Sequence, residues 1–163
     1  MSTRPRSILD LTGEVAVAVE IGNGRACAIL LARQGAKVAL LDNNKEWAQD
    51  TKDMIDAEDG VSEVVQVDVT TKEGVKQAVE QTVWLFVGVG GAMGDAFAVD
   101  LDAWDRDMRI NVTSMVLMAR HVIPHMRKQA RGAIVNMSSV SGLLGGNPSL
   151  LFPITKGAII QMT

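Results

Sequence analysis

Residues 15–42 read VAVAVEIGNGRACAILLARQGAKVALLD. Val15 to Val19 is a short apolar, β-branched run, the pattern of a buried strand. Gly22-Asn23-Gly24 follows. Arg25 to Gln34 then has helical spacing, with Ala26, Ile29 and Leu30 on one face and Gly35 as the stop. Lys37 to Leu41 is a second apolar strand, ending at Asp42. Strand, glycine turn and helix in that order have a physical use. Glycine lets the backbone approach a pyrophosphate, and a helix start offers free amides and the positive end of a dipole. An acid about 20 positions later suits the diol of an adenosine ribose. Asp42 lies 20 residues after Gly22. Its charge also opposes a 2′-phosphate. These residues point to a nicotinamide dinucleotide, with NAD favoured over NADP, held by Gly22, Asn23, Gly24, Asp42 and the adjacent Asn43.

The same alternation continues outward. Asn43 and Asn44 can cap a helix running to about Ala57, with Trp47, Thr51, Met54 and Ile55 inward. Val64 to Val67 is a third strand, ending at Asp68 on the edge where it and Val69 can meet the adenine. Asp42 and Asp68 equally suit turn-forming or helix-capping roles. Thr70-Thr71-Lys72-Glu73 reads as a capping box, and Val75, Ala78, Val79 and Thr82 then recur at helical spacing. Val83 to Val87 is the expected fourth strand, although no turn residue separates it from that helix. Gly88 to Gly94 is a glycine-rich loop that places Gly88 near the cofactor. From Leu101 to Gln129 the pattern is helical, with Met108, Val112, Met115, Ala119, Val122 and Met126 inward and a kink at Pro124. Ala133 to Met137 is the expected fifth strand. Ser138 to Ser149 is a loop of small residues, and Phe152 to Thr163 begins a helix with Pro153 in its first turn. Residues 1–163 are thus expected to form one α/β domain. Its Rossmann-like, doubly wound parallel sheet has about five strands, with helices on both faces.

Composition narrows the classes. The chain has 163 residues, 47% of them hydrophobic, and a net charge of -3. A domain of that size buries roughly 70% of its unfolded surface. Charges of both signs are scattered, so no nucleic-acid partner is expected. No apolar run reaches the ~18 residues of a membrane span. Met1 to Arg6 is basic but leads into no signal-peptide core. The single cysteine, Cys27, excludes an internal disulfide framework and reads as a buried structural thiol. These features fit a cytoplasmic protein. His121 and His125 have a metal-ligand spacing, but no third ligand lies near them in sequence, so no metal site is expected.

Later residues bring in a family. Asn111-Val112, Ser138-Ser139, and Lys156 followed by Gly157-Ala158 are arranged as in the short-chain dehydrogenase/reductase family. Leu11-Thr12-Gly13, Arg25-Ala26, Gly35-Ala36-Lys37-Val38 and Asp68-Val69-Thr70 also resemble it, so the resemblance runs from about residue 9 to the end. It implies a catalytic set of Asn, Ser, Tyr and Lys. Asn111 corresponds to the asparagine that holds a water in a proton relay. Ser139, 13 residues before position 152, corresponds to the serine that hydrogen-bonds the substrate oxygen. Lys156 corresponds to the lysine that binds the nicotinamide ribose and lowers the tyrosine pKa. The tyrosine belongs at 152, but the residue is Phe152, and the chain has no tyrosine at all.

Three further departures follow. The family pattern Thr-Gly-x-x-x-Gly-x-Gly is here Val19-Glu20-Ile21-Gly22-Asn23-Gly24, short by about three residues and carrying an acid. The Asn-Asn-x-Gly expected near Val87-Gly88 is absent. The chain also stops inside the helix that carries Lys156, before the family's sixth and seventh strands. Stretches near Val19-Glu20 and Thr82-Val87 are thus expected to be missing, and the C-terminal part of the fold with them.

The leading functional expectation is hydride transfer between NAD(H) and an alcohol or carbonyl substrate, impaired by Phe152. The alternatives are a catalytically inactive NAD-binding relative and a truncated non-functional product. The resemblance also implies a homodimer or homotetramer, assembled through the helix at 101–129 and the helix carrying Lys156.

Overall fold

The computed structural model describes residues 7–19, 22–81 and 92–162. The first of these contain β1 (Val15–Val19), α1 (Asn23–Arg33), β2 (Lys37–Asp42), α2 (Lys45–Asp56) and β3 (Val61–Gln66). The strands lie parallel in the order β1-β2-β3, because each helix carries the chain back to the sheet's starting edge. Val19 pairs with Leu41 and Asp42 with Gln66, so Asp42 stands at the carboxyl edge. Next come α3 (Lys72–Gln81), α4 (Leu101–Met108), a π turn (Arg109–Thr113) and α5 (Ser114–Gln129). A 3-10 turn (Val140–Gly142) and α6 (Leu151–Met162) complete the order.

Strand periodicity sorts the core into two layers. Val17, Ala39 and Leu41 pack with Val75 of α3, with Met115, Met118 and Val122 of α5, and with Ile159 of α6. Ala18, Val38 and Leu40 face the other way, onto Ala28 and Ala32 of α1 and Ala48 and Ile55 of α2. Both faces of β2 are therefore covered, which is why Val38 to Leu41 is an unbroken apolar run. Each buried Val or Leu contributes roughly 1.5–3 kcal/mol.

The structure corrects several expectations. In α1 the inward residues are Gly24, Ala28 and Ala32, while Leu30 is 55% exposed. Small residues one turn apart let the helix backbone sit close to the strands, and this turns the larger Leu30 outward. The same holds in α2, where Ala48, Thr51 and Ile55 point in and Trp47 and Met54 remain about half exposed. Cys27 is only half-buried. The cap of α3 is Thr71, not Thr70. Thr71 Oγ1 accepts from the Gly74 amide at 3.1 Å, while the Thr70 hydroxyl donates to Asp68. The helix is continuous through Pro124, and the departure from α geometry is the π turn ahead of α5. There the Ser114 hydroxyl donates to the Ile110 carbonyl, a side-chain competitor for a backbone acceptor.

Three of the expected strands fall within the described residues as a ladder. The described sheet has three strands, and within 133–137 only Asn136 takes a bridge position. The expected strand at 83–87 lies outside the described residues. Glu20 and Gly88 lie outside them too.

Candidate functional site

The first half of the candidate site is built on a turn that only glycine adopts readily. Gly22 has φ +81 and ψ -116, and a Cβ there would meet nothing within 4 Å, so backbone angle rather than space demands glycine. It places Asn23 and Gly24 in the first turn of α1, where amides lack intrahelical partners. No acid lies in that turn, and no side chain caps it. The helix start is thus electrostatically open to an anion.

Asp42 stands beside it at the end of β2. Its Oδ1 accepts from the Asn44 amide at 2.9 Å, and Asn44 in turn caps α2, accepting from Glu46 and Trp47. Among the described residues Asp42 Oδ2 has no partner, so the turn role leaves one oxygen for a ligand. One small cleft is lined by Gly24, Arg25, Asp42, Trp47 and Thr51, which brings the glycine turn and the acid together. Arg25 fixes that geometry by donating to Thr51 Oγ1 at 3.0 Å and to the Trp47 carbonyl at 3.3 Å. Asn43 is exposed, and its carbonyl accepts from Gln66. Asp68 Oδ1 accepts from the Thr70 amide at 2.9 Å and from its hydroxyl at 2.6 Å, a turn-forming use. Val69 packs against the core.

The second half gathers on α6. Phe152 and Lys156 are four residues apart, so they share a helix face. Lys156 is 2% exposed. Its Nζ donates to the Met137 carbonyl at 3.2 Å and lies 5.6 Å from the centre of the Phe152 ring. A buried ammonium is tolerated because these groups partly replace water. Asn111, fully buried in the π turn, donates to Thr155 Oγ1 at 3.1 Å, one residue before Lys156. Ser138 donates to the Lys156 carbonyl at 2.7 Å. Ser139 caps the 3-10 turn by accepting from Ser141 at 3.2 Å. That turn presses on α6 so closely that a Cβ on Gly142 would stand 2.6 Å from the Lys156 carbonyl carbon. Asn111, Phe152, Lys156 and the Ser139 loop, distant in sequence, are thereby brought to one helix.

Sequence reasoning missed the supports. Asp107 is a buried carboxylate whose Oδ2 accepts from the Ala92 amide at 2.6 Å. Ser149 donates to the Ala92 carbonyl at 2.7 Å and accepts from the Phe152 amide at 3.2 Å. Thr155 donates to the Phe152 carbonyl at 2.9 Å. A signal existed for Asp107, which lies four residues before Asn111 on one helix face. Thr155 had only the oddity of a polar residue amid apolar ones. In chemical terms the cluster offers a hydroxyl, an ammonium and an amide, while Phe152 has no proton to give. No group of three or more His, Cys, Asp or Glu suited to a metal occurs among the described residues. No described helix is long and apolar enough to cross a membrane.

Comparisons with known proteins bear on the family and the fold. The family model described as short chain dehydrogenase matches residues 15–163. The 2-(S)-hydroxypropyl-CoM dehydrogenase 3 of Xanthobacter autotrophicus is 33% identical over 150 residues, which cover 87% of this chain and 59% of that protein. An uncharacterized oxidoreductase of Staphylococcus aureus is 32% identical, covering 94% of this chain and 70% of that one. The structure of an NAD+-bound xylitol dehydrogenase superposes with TM-score 0.88 at 29% identity, covering 94% of this chain and 63% of the other. A Beutenbergia cavernae structure with bound NADP gives TM-score 0.89 at 25% identity, covering 96% and 66%. The chain thus spans between 59% and 70% of the length of these proteins.

Proposed function

Because the chain belongs to the short-chain dehydrogenase family, we propose that it transfers a hydride between NAD(H) and a small alcohol or carbonyl substrate, at a turnover cut by Phe152. The observation that carries this reading is the convergence on α6, where Asn111 bonds Thr155, Lys156 lies over Phe152, and the Ser139 loop packs against them. The uncapped α1 start would hold the pyrophosphate, and Asp42 Oδ2 the adenosine ribose. The acid favours NAD over NADP. When bound, the cofactor would supply the hydride acceptor or donor. Ser139 orients the substrate oxygen by donating its hydroxyl. Lys156 offers its ammonium to the nicotinamide ribose, giving up its bond to the Met137 carbonyl. Asn111 fixes the helix that carries both positions. Val116 and Ile123 of α5 and Ile154 of α6 remain exposed, which suits a homodimer or homotetramer.

Phe152 itself favours a second reading, an NAD-binding relative without turnover. General acid-base catalysis is typically worth ~10²–10⁴-fold. The test compares the chain with Phe152→Tyr, following NADH absorbance with an alcohol panel and NAD binding by tryptophan fluorescence. Recovery of turnover in Phe152→Tyr by that factor supports hydride transfer as the inherited chemistry. NAD binding with silence in both proteins selects the inactive relative. Ordinary enzyme rates from the parent chain would refute the role given to Phe152.

A further inference from the structure

A second cavity, about 340 Å³ in volume, opens between α3 and α5. It is lined by Lys72, Glu73 and Lys76 from α3 and by Leu117, Arg120 and His121 from α5. It shares no residue with the cleft beside Asp42. Its size lies within the range of small-molecule sites, roughly 300–1,000 Å³.

Cations outnumber acids on its wall. The chain as a whole is acidic, with 19 Asp and Glu against 16 Lys and Arg. Yet three cations and a histidine converge here against one acid. Among the described residues, the side chains of Lys72, Lys76, Arg120 and His121 form no hydrogen bond or ion pair, and Glu73 pairs with none of them. Two placements work against the fold. Lys72 and Lys76 are like charges four apart on one helix, which repel. Lys72 also occupies the first turn of α3, at the positive end of the helix dipole. Buried Leu117 lines the cavity alongside them and contributes apolar contact.

We propose that this cavity binds a small molecule carrying a phosphate monoester or diphosphate, independently of the dinucleotide site. A phosphate monoester carries a charge of roughly -1.5 to -2 at neutral pH. That matches the excess of cations over Glu73, and the planar fork of Arg120 suits phosphate oxygens. The anion would relieve the repulsion among these cations, which the single acid Glu73 offsets only in part.

The test is residue-resolved NMR of the full chain, titrated with inorganic pyrophosphate and, at matched ionic strength, with succinate. Pyrophosphate should shift amides at 72–76 and 117–121, and the affinity should fall steeply with salt, since the screening length is ~8 Å at 0.15 M. The double variant Lys76→Glu/Arg120→Glu should weaken binding by about tenfold or more. Unchanged Val17 and Leu41 amides would certify its fold. The proposal is overturned if shifts appear only near 22–25, if succinate binds as tightly as pyrophosphate, or if the double variant binds like the parent.

Discussion

Replacing Asp42 tests the proposed dinucleotide site most directly, because the carboxylate has one oxygen in a turn bond and one free of it among the described residues. Oδ1 accepts from the Asn44 amide at 2.9 Å and so sets the turn into α2. Oδ2 remains for the proposed ribose contact. Asp42→Asn keeps an acceptor for the Asn44 amide and loses the charge. Hydrogen bonds to charged groups are worth about 1.5–3 kcal/mol. Asp42 is only half-buried, so the lower part of that range applies. At 1.4 kcal/mol per tenfold, NAD affinity should fall by about tenfold. NADP should lose less or gain, since its 2′-phosphate no longer faces an anion. Asp42→Ala should add a stability loss of about 0.5–1.5 kcal/mol from the missing turn bond. The melting temperature would then drop by about 2–4 °C per kcal/mol. Calorimetric titration measures both affinities, and Trp47, which lines the same cleft, gives a fluorescence signal. If Asp42→Asn binds NAD as tightly as the parent while its melting temperature is unchanged, Asp42 is a turn former only, and the assignment of the ribose site is wrong.

Further perturbations follow from single contacts. Gly142→Ala would drive a Cβ to 2.6 Å from the Lys156 carbonyl carbon and 2.8 Å from the Gly157 nitrogen. Such overpacking should cost about 1–3 kcal/mol in thermal unfolding. Thr71→Ala should cost about 1 kcal/mol as the loss of an N-cap, and Thr70→Ala clearly less; equal losses would move the cap back to Thr70. The hydrogen bond from Arg33 holds the Glu58 carboxyl below its ordinary value of 4.5. A lowered folded-state value means stability that is present above the ordinary value and lost as pH falls through the lowered one. The parent's advantage over Glu58→Gln should therefore be small, salt-sensitive, complete at neutral pH, and gone in acid, as thermal melts across pH would show.

Local signals carried the first third of the chain. The apolar runs at Val15 to Val19 and Lys37 to Asp42, the φ-permissive Gly22 and the capping Asn44 are short-range features, and the structure places them where their residue types predict. Helix phase was harder to read. Hydropathy favoured Leu30 and Met54 as inward, but distance to the sheet favours the smaller Ala28, Ala32 and Ala48. The candidate site was legible through the spacing of Asn111, Ser139 and Lys156, whereas its supports were not. Asp107, Ser149 and Thr155 bond partners that are 15, 57 and 44 residues away, and no local pattern encodes such distances.

By itself, then, the sequence determined the alternating α/β order and the carboxyl-edge acid, since each depends on residue type and spacing within a few turns. Only the tertiary structure decided which helix faces are buried. It alone showed that Lys156 is sealed beneath the Met137 carbonyl and the Phe152 ring, and that α3 and α5 set four basic groups around one cavity. Those outcomes depend on how closely elements far apart in the chain can pack, and that distance is set by side-chain volume summed across an interface.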